Sequence, residues 1–172
     1  YGQLGQFSES LTHFQAGLKL TPHSLSLQSN LATCYKRLGQ TKRAIKQYQD
    51  ILKHHPAQCV TLNNLATIYI KEQAYDQAAM LLLKALSLQP NYADAYFNLS
   101  LCNLPLYQKR YCALLIKAVS LNHHRAPQAL ALYYEQNNEL DKAKQYYQKS
   151  LSILKDHALS HHGLARVLLA LG

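Results

Sequence analysis

Apolar and small residues recur along this chain in paired, helix-length windows. Between Cys59 and Tyr92, Leu65, Ala66 and Tyr69 share one face of a first window, and Ala78, Leu82 and Ala85 share one face of a second. Spacings of three and four residues are those of amphipathic helices. Pro90 stops the second helix, because proline lacks the backbone donor and its ring clashes with the preceding turn. The unit is 34 residues long, two short helices and a tight turn, and it recurs. The same interval separates Tyr1, Tyr35 and Tyr69, then Asn30, Asn64 and Asn98, then Pro22, Pro56 and Pro90. A fixed period of this size marks an array in which one hairpin stacks on the next.

With Cys59 as position 1, the sequence divides into a partial unit at 1–24, full units at 25–58 and 59–92, an irregular unit at 93–123, a full unit at 124–157, and the first helix of a further unit at 158–172. In the first of these, Gly5 is expected to make a turn before a helix from Phe7 to Leu20. Gly39 stands at the turn of the second unit, where the left-handed conformation ends a helix cheaply, and Gln73 and Asn138 take that place later. Pro105 falls where the first helix of the irregular unit would finish, and Tyr111 replaces the alanine of Ala44, Ala78 and Ala143. The small residues have a packing role: helices within about 8–10 Å need small side chains where they cross.

Composition sharpens this picture without changing it. The chain has 172 residues, 48% hydrophobic, with only 6 glycines and 5 prolines, the make-up of a folded helical protein. No apolar run approaches the roughly 18–20 residues of a membrane span, so a membrane is not an expected partner. Four cysteines, Cys34, Cys59, Cys102 and Cys112, form no CxxC pair and read as free thiols in a reducing compartment. A cytoplasmic location follows, with a periplasmic parent as the alternative. The net charge of +9 is local: residues 25–58 carry Lys36, Arg37, Lys42, Arg43, Lys46 and Lys53 against Asp50, or +5. Such a patch suits an acidic contact at one place.

The set Leu-Ala at positions 7 and 8, Tyr at 11, Gly at 15, Ala at 20, Tyr or Phe at 24, Ala at 27 and Pro at 32 resembles the tetratricopeptide repeat over essentially the whole sequence. The position-4 tryptophan is missing throughout, and the position-32 proline is missing after Pro90. The resemblance implies an all-α fold, a right-handed superhelical solenoid of four full hairpins with partial repeats at both ends. It also implies a concave groove lined by first helices, no catalysis and no cofactor, and protein or peptide partners.

Groove-facing positions of the family, carried onto this sequence, give Asn30, Thr33, Lys36 and Arg37, then Asn63, Asn64, Thr67 and Lys71, then Phe97, Asn98 and Leu101. Asn30, Asn64 and Asn98 form a ladder similar to that in the repeat arm of the O-linked N-acetylglucosamine transferases. A side-chain amide donates and accepts, so it can pair with a peptide backbone without reading side chains. A substrate-recruiting arm of a larger enzyme, such as a glycosyltransferase, is therefore the alternative to a plain scaffold. Lys36 and Arg37 suit an acidic segment of the partner. The pattern that holds chaperone tails is met only at its middle Asn, and Asp94 stands where a Lys is wanted.

The nine histidines are expected at exposed helix ends and not as metal ligands. Tyr35, Tyr48, Tyr69, Tyr134 and Tyr147 occupy core signature positions, so the tyrosines are not a nucleic-acid platform. The last helix carries Leu159, Leu164, Val167, Leu168, Leu169 and Leu171. It is too apolar for the polar cap a repeat stack needs, so self-association through it, or a larger parent protein, is expected.

Overall fold

A computed structural model describes residues 2–103 and 108–172. The expectations attached to Tyr1 and to the Pro105 irregularity lie outside the described residues. Ten α-helices and no strand are found among the described residues. They gather into two compact units, Tyr1–Pro90 and Asn91–Gly172.

The first unit contains α1 (Gly2–Leu20), α2 (Leu25–Arg37), α3 (Thr41–His54), α4 (Cys59–Lys71) and α5 (Tyr75–Leu88), each packed on the next. Its core is Ala32, Ala44, Tyr48, Ile51, Leu65 and Ile68. Ala66 and Ala78 are fully buried, as a close crossing of α4 and α5 requires. The turn expected at Gly5 does not form, because α1 runs unbroken through it. One glycine costs a helix only about 1 kcal/mol, too little to break a ladder that continues on both sides.

Three hairpin turns among the described residues obey one backbone rule. Gly39, Gln73 and Asn138, all at position 15, have φ of 72°, 60° and 58°. In each case the next amide donates to the tyrosine carbonyl four positions before the turn residue: Gln40 to Tyr35, Ala74 to Tyr69, Glu139 to Tyr134. Those bonds satisfy carbonyls that a helix end would leave unpaired. Successive hairpins of this unit are also tied by a repeated amide-to-phenol bond. Gln15 Nε2 donates to Tyr35 Oη at 3.1 Å, and Gln49 Nε2 to Tyr69 Oη at 3.5 Å.

The second unit contains α6 (Ala93–Asn103), α7 (Gln108–Ser120), α8 (Ala126–Gln136), α9 (Leu140–Ile153) and α10 (Ala158–Leu171). Leu115, Ala118, Leu130, Ala131, Ala143 and Tyr147 form the centre of its core. Tyr111, in the alanine position, is half-buried and tilted against the Tyr133 ring at 5.8 Å.

The histidine expectation fails at His123, which is buried. Its ring stacks on Phe97 at 4.3 Å, Nδ1 accepts from the backbone N–H of Arg125 and Ala126, and Nε2 lies 3.3 Å from Asp94 Oδ1. With Nδ1 accepting, Nε2 carries the proton and donates to Asp94. Burial drives the pKa of this imidazole down to about 4 despite the neighbouring carboxylate. The start of α8 is thus held by a neutral side chain.

Candidate functional site

In the first unit α2 and α4 are neighbours, so the end of one first helix faces the middle of the next. Lys36, near the end of α2, extends its ammonium to Asn64 Oδ1 at 3.0 Å and to Thr67 Oγ1 at 3.3 Å. Thr67 Oγ1 in turn donates to the Asn64 carbonyl at 2.7 Å. Partial burial, with the adjacent Arg37 charge, lowers the Lys36 pKa from its ordinary value. Thr33 Oγ1 donates to the Ser29 carbonyl at 2.9 Å and lies 3.1 Å from Tyr48 Oη. Lys36, Arg37, Thr41, Thr67, Ile68, Lys71 and Glu72 line a cleft of about 450 Å³. Four residues singled out from the sequence, Lys36, Arg37, Thr67 and Lys71, therefore converge on one basic cleft, and Asn64 is bonded to one of them.

The other sequence candidates divide. Asn30 is exposed on α2. Asn98 is half-buried on α6, in the second unit. Asn63 is only 6% exposed, which corrects its assignment to a ligand-facing wall. The reason is that α4 is covered by α2, α3 and α5 together. Phe97 is also buried, at 5%, between the His123 ring and the Arg125 guanidinium, whose carbon lies 5.2 Å from the ring centroid. Leu101 packs against the same core. Phe97 is a packing residue because the segment before α8 folds over it.

One constellation joins Glu135 and Arg166, groove-facing positions of the fifth and sixth repeats that were not among the ligand residues expected from the sequence. Glu135 of α8 takes two bonds from Arg166 of α10, Nε to Oε1 and a terminal nitrogen to Oε2, each 2.9 Å, and a third from Tyr147 Oη at 2.6 Å. The Arg166 bonds hold the Glu135 carboxyl below its ordinary pKa, partial burial opposes them, and the Tyr147 bond adds to them. The signal was present as opposite charges 31 residues apart at groove positions. Elsewhere on α10, Leu159, Leu168, Leu169 and Leu171 are exposed. Among the described residues no helix is long and apolar enough to cross a membrane.

Solved structures with the same fold confirm the repeat assignment. The thermophilic TPR protein TTC0263 of Thermus thermophilus is 23% identical, with a TM-score of 0.80 over 97% of this chain and 93% of that one. The pilF protein of Pseudomonas aeruginosa is 21% identical, with a TM-score of 0.80 over 99% of this chain and 85% of its own. YrrB, described as a TPR protein with an unusual peptide-binding site, is 18% identical, with a TM-score of 0.65 over 94% and 84%. No curated protein matches the sequence. The family model of the coatomer epsilon subunit matches residues 28–148. With that match over most of its length, the chain belongs to the coatomer epsilon subunit family, and its fold is that of tetratricopeptide repeats.

Proposed function

We propose that this chain is a non-catalytic interaction scaffold that holds a peptide or an extended protein segment against the first helices of its repeats, which run in the register 25–58, 59–92, 93–123 and 124–157. An acidic stretch of the partner meets Lys36, Arg37 and Lys71. The observation that carries this reading is the convergence of those cations with Thr67 on one cleft between neighbouring hairpins. Stacked repeats offer extended binding surfaces of this kind, and YrrB, of the same fold, has a peptide-binding site. Asn30 and Asn64 are the polar rungs of the first unit along which the segment lies, and Asn98 is a rung of the second unit. The setting is cytoplasmic, with the four thiols reduced.

The test is affinity capture from the source cell, comparing the natural chain with an Asn30→Ala, Asn64→Ala, Asn98→Ala variant and with a Lys36→Ala, Arg37→Ala variant. Each hydrogen bond removed should weaken capture by about 1 kcal/mol. A partner retained equally by all three proteins would end this reading. A second reading concerns α10, whose exposed Leu159 and Leu169 favour self-association through that helix. Light scattering on Leu169→Lys tests it, since a self-associating natural chain should become monomeric.

A further inference from the structure

Helices α3 and α5 both pack on α4 and leave between them a groove of about 460 Å³. Leu52, Leu65, Tyr69, Met80 and Leu81 give it an apolar lining, and the exposed Lys53 and Gln77 border it. It shares no lining residue with the Lys36 cleft. Three exposed positions of the second helix, 19, 22 and 25, set this groove apart. Helix α3 has Arg43, Lys46 and Gln49 there, and α9 has Lys142, Gln145 and Gln148. Helix α5 has Gln77, Met80 and Leu83, with Met80 73% and Leu83 48% exposed. In the other two hairpins the position-19 cation lies over the position-11 tyrosine, Arg43 over Tyr35 at 5.9 Å and Lys142 over Tyr134 at 5.1 Å. At Tyr69 that place is held by the uncharged Gln77.

We infer that this groove docks an amphipathic helix of a partner protein, one that carries an apolar pair one turn apart among acidic residues. The lining spans residues 49–53 on α3 and 77–81 on α5, roughly 6 Å of each helix. That length seats two side chains at i and i+4, the kind of anchors with which a helix enters a groove. Charge selects the rest of the partner. Lys53 borders the groove, Lys46 stands two turns before it on α3, and Lys84 stands one turn beyond Met80 on α5, all exposed. Together α3 and α5 carry Lys42, Arg43, Lys46, Lys53 and Lys84 against Asp50 and Asp76, so a basic helix would be repelled. Met80, the only methionine of the chain, is an unbranched, polarizable wall that adapts to the side chain it meets. This surface is independent of the groove along the first helices.

The probes are three N-acetylated, C-amidated, alanine-based helical peptides of about four turns. The first has a central leucine pair at i and i+4 flanked by glutamates. The second has lysines for the glutamates, and the third has alanines for the leucines. The single methionine methyl resonance of the chain reports on the groove by NMR, and calorimetry gives the affinity. The first peptide should shift that resonance and bind about tenfold tighter than either of the others. Met80→Lys, which gives α5 the residue α3 has at that position, and Lys53→Glu should each weaken it about tenfold. Both positions are exposed, so both variants keep the fold. The Lys36→Ala, Arg37→Ala variant should bind the first peptide as the natural chain does. Equal affinity for the acidic and basic peptides overturns the inference, as does no binding of the first peptide or its loss in that double variant. Two other occupants are tested alongside. Sedimentation with phosphatidylserine vesicles that Met80→Lys abolishes would make the surface a membrane contact. A light-scattering dimer that the same variant dissolves would make it an interface between copies, and either result overturns the inference.

Discussion

At position 12 of a first helix, the first unit has Lys36 and the second has Glu135, and each reaches the next first helix. Lys36 meets neutral acceptors, Asn64 and Thr67, and keeps an uncompensated charge at a cleft. Glu135 meets Arg166, and the two charges cancel. The same backbone position thus builds an open cationic site in one unit and a closed ion pair in the other. The buried tyrosine at position 24 follows its neighbours. Tyr48 turns its hydroxyl to Thr33, whereas Tyr147, with Leu132 in the place of Thr33, sends its hydroxyl to Glu135. Its ring fills the space left by Gly163, which stands where the first unit has Asn64. A repeat signature sets where a side chain starts, and the residues three or four positions away decide what it touches.

The sharpest way to break this comparison is at that glycine. A methyl group on Gly163 would lie 2.2 Å from Tyr147 Cζ, so Gly163→Ala should cost about 3 kcal/mol in a denaturant titration. Adding Leu132→Thr, which gives Tyr147 the partner Tyr48 has, should recover part of that loss. An unchanged midpoint in Gly163→Ala would mean the two tyrosines are not placed differently.

The next contrast is in how the first helices begin. Ser24 Oγ accepts from Leu27 N–H at the start of α2, a cap with no titration. At α8 the acceptor is His123, neutral in the fold, with a pKa lowered from 6.5 to about 4. The unfolded chain binds the extra proton first, so this stability is complete above about pH 6.5 and is lost as pH falls towards 4. The loss should be about 3 kcal/mol. His123→Asn should flatten that limb of the stability curve, and a curve unchanged by the substitution would show that His123 charges freely in the fold.

A smaller effect separates turns of identical geometry. Gly39 takes its positive φ without strain, whereas Gln73 holds φ of 60° at the cost of a side chain in the left-handed region. Gln73→Gly should therefore stabilise the chain by about 1 kcal/mol in a thermal melt. A lower melting temperature would show that the glutamine side chain compensates. The least effect concerns Glu135, whose folded pKa is depressed. Its contribution is present above the ordinary carboxylate pKa and fades as pH falls through the lowered one. Glu135→Gln should remove that acid dependence and leave the binding of acidic peptides to the first unit unchanged.

Much of the fold was legible because it repeats: Ala44, Ala78, Ala143, Tyr48 and Tyr147 are buried at the positions their period assigns. The site was legible only in part. Lys36, Arg37, Thr67 and Lys71 share a cleft as their spacing suggests, but the bond from Lys36 to Asn64 joins residues 28 apart and depends on a lysine rotamer. Asn63 and Phe97 were misplaced because periodicity identifies a face of a helix without saying how many neighbours cover it. His123 was misread because a histidine beside another at a helix boundary looks exposed until the ring that stacks on it, from a helix much earlier in sequence, is known.

The amide-to-phenol bonds from Gln15 to Tyr35 and from Gln49 to Tyr69 bear on how the first unit comes apart. In an array where each hairpin touches only its neighbours, cooperativity lives in the interfaces. These bonds couple the second helix of one hairpin to the first helix of the next. Melting that enters at α1 therefore meets one polar latch per boundary, and backbone amide exchange should slow in steps from α1 through α3 to α5.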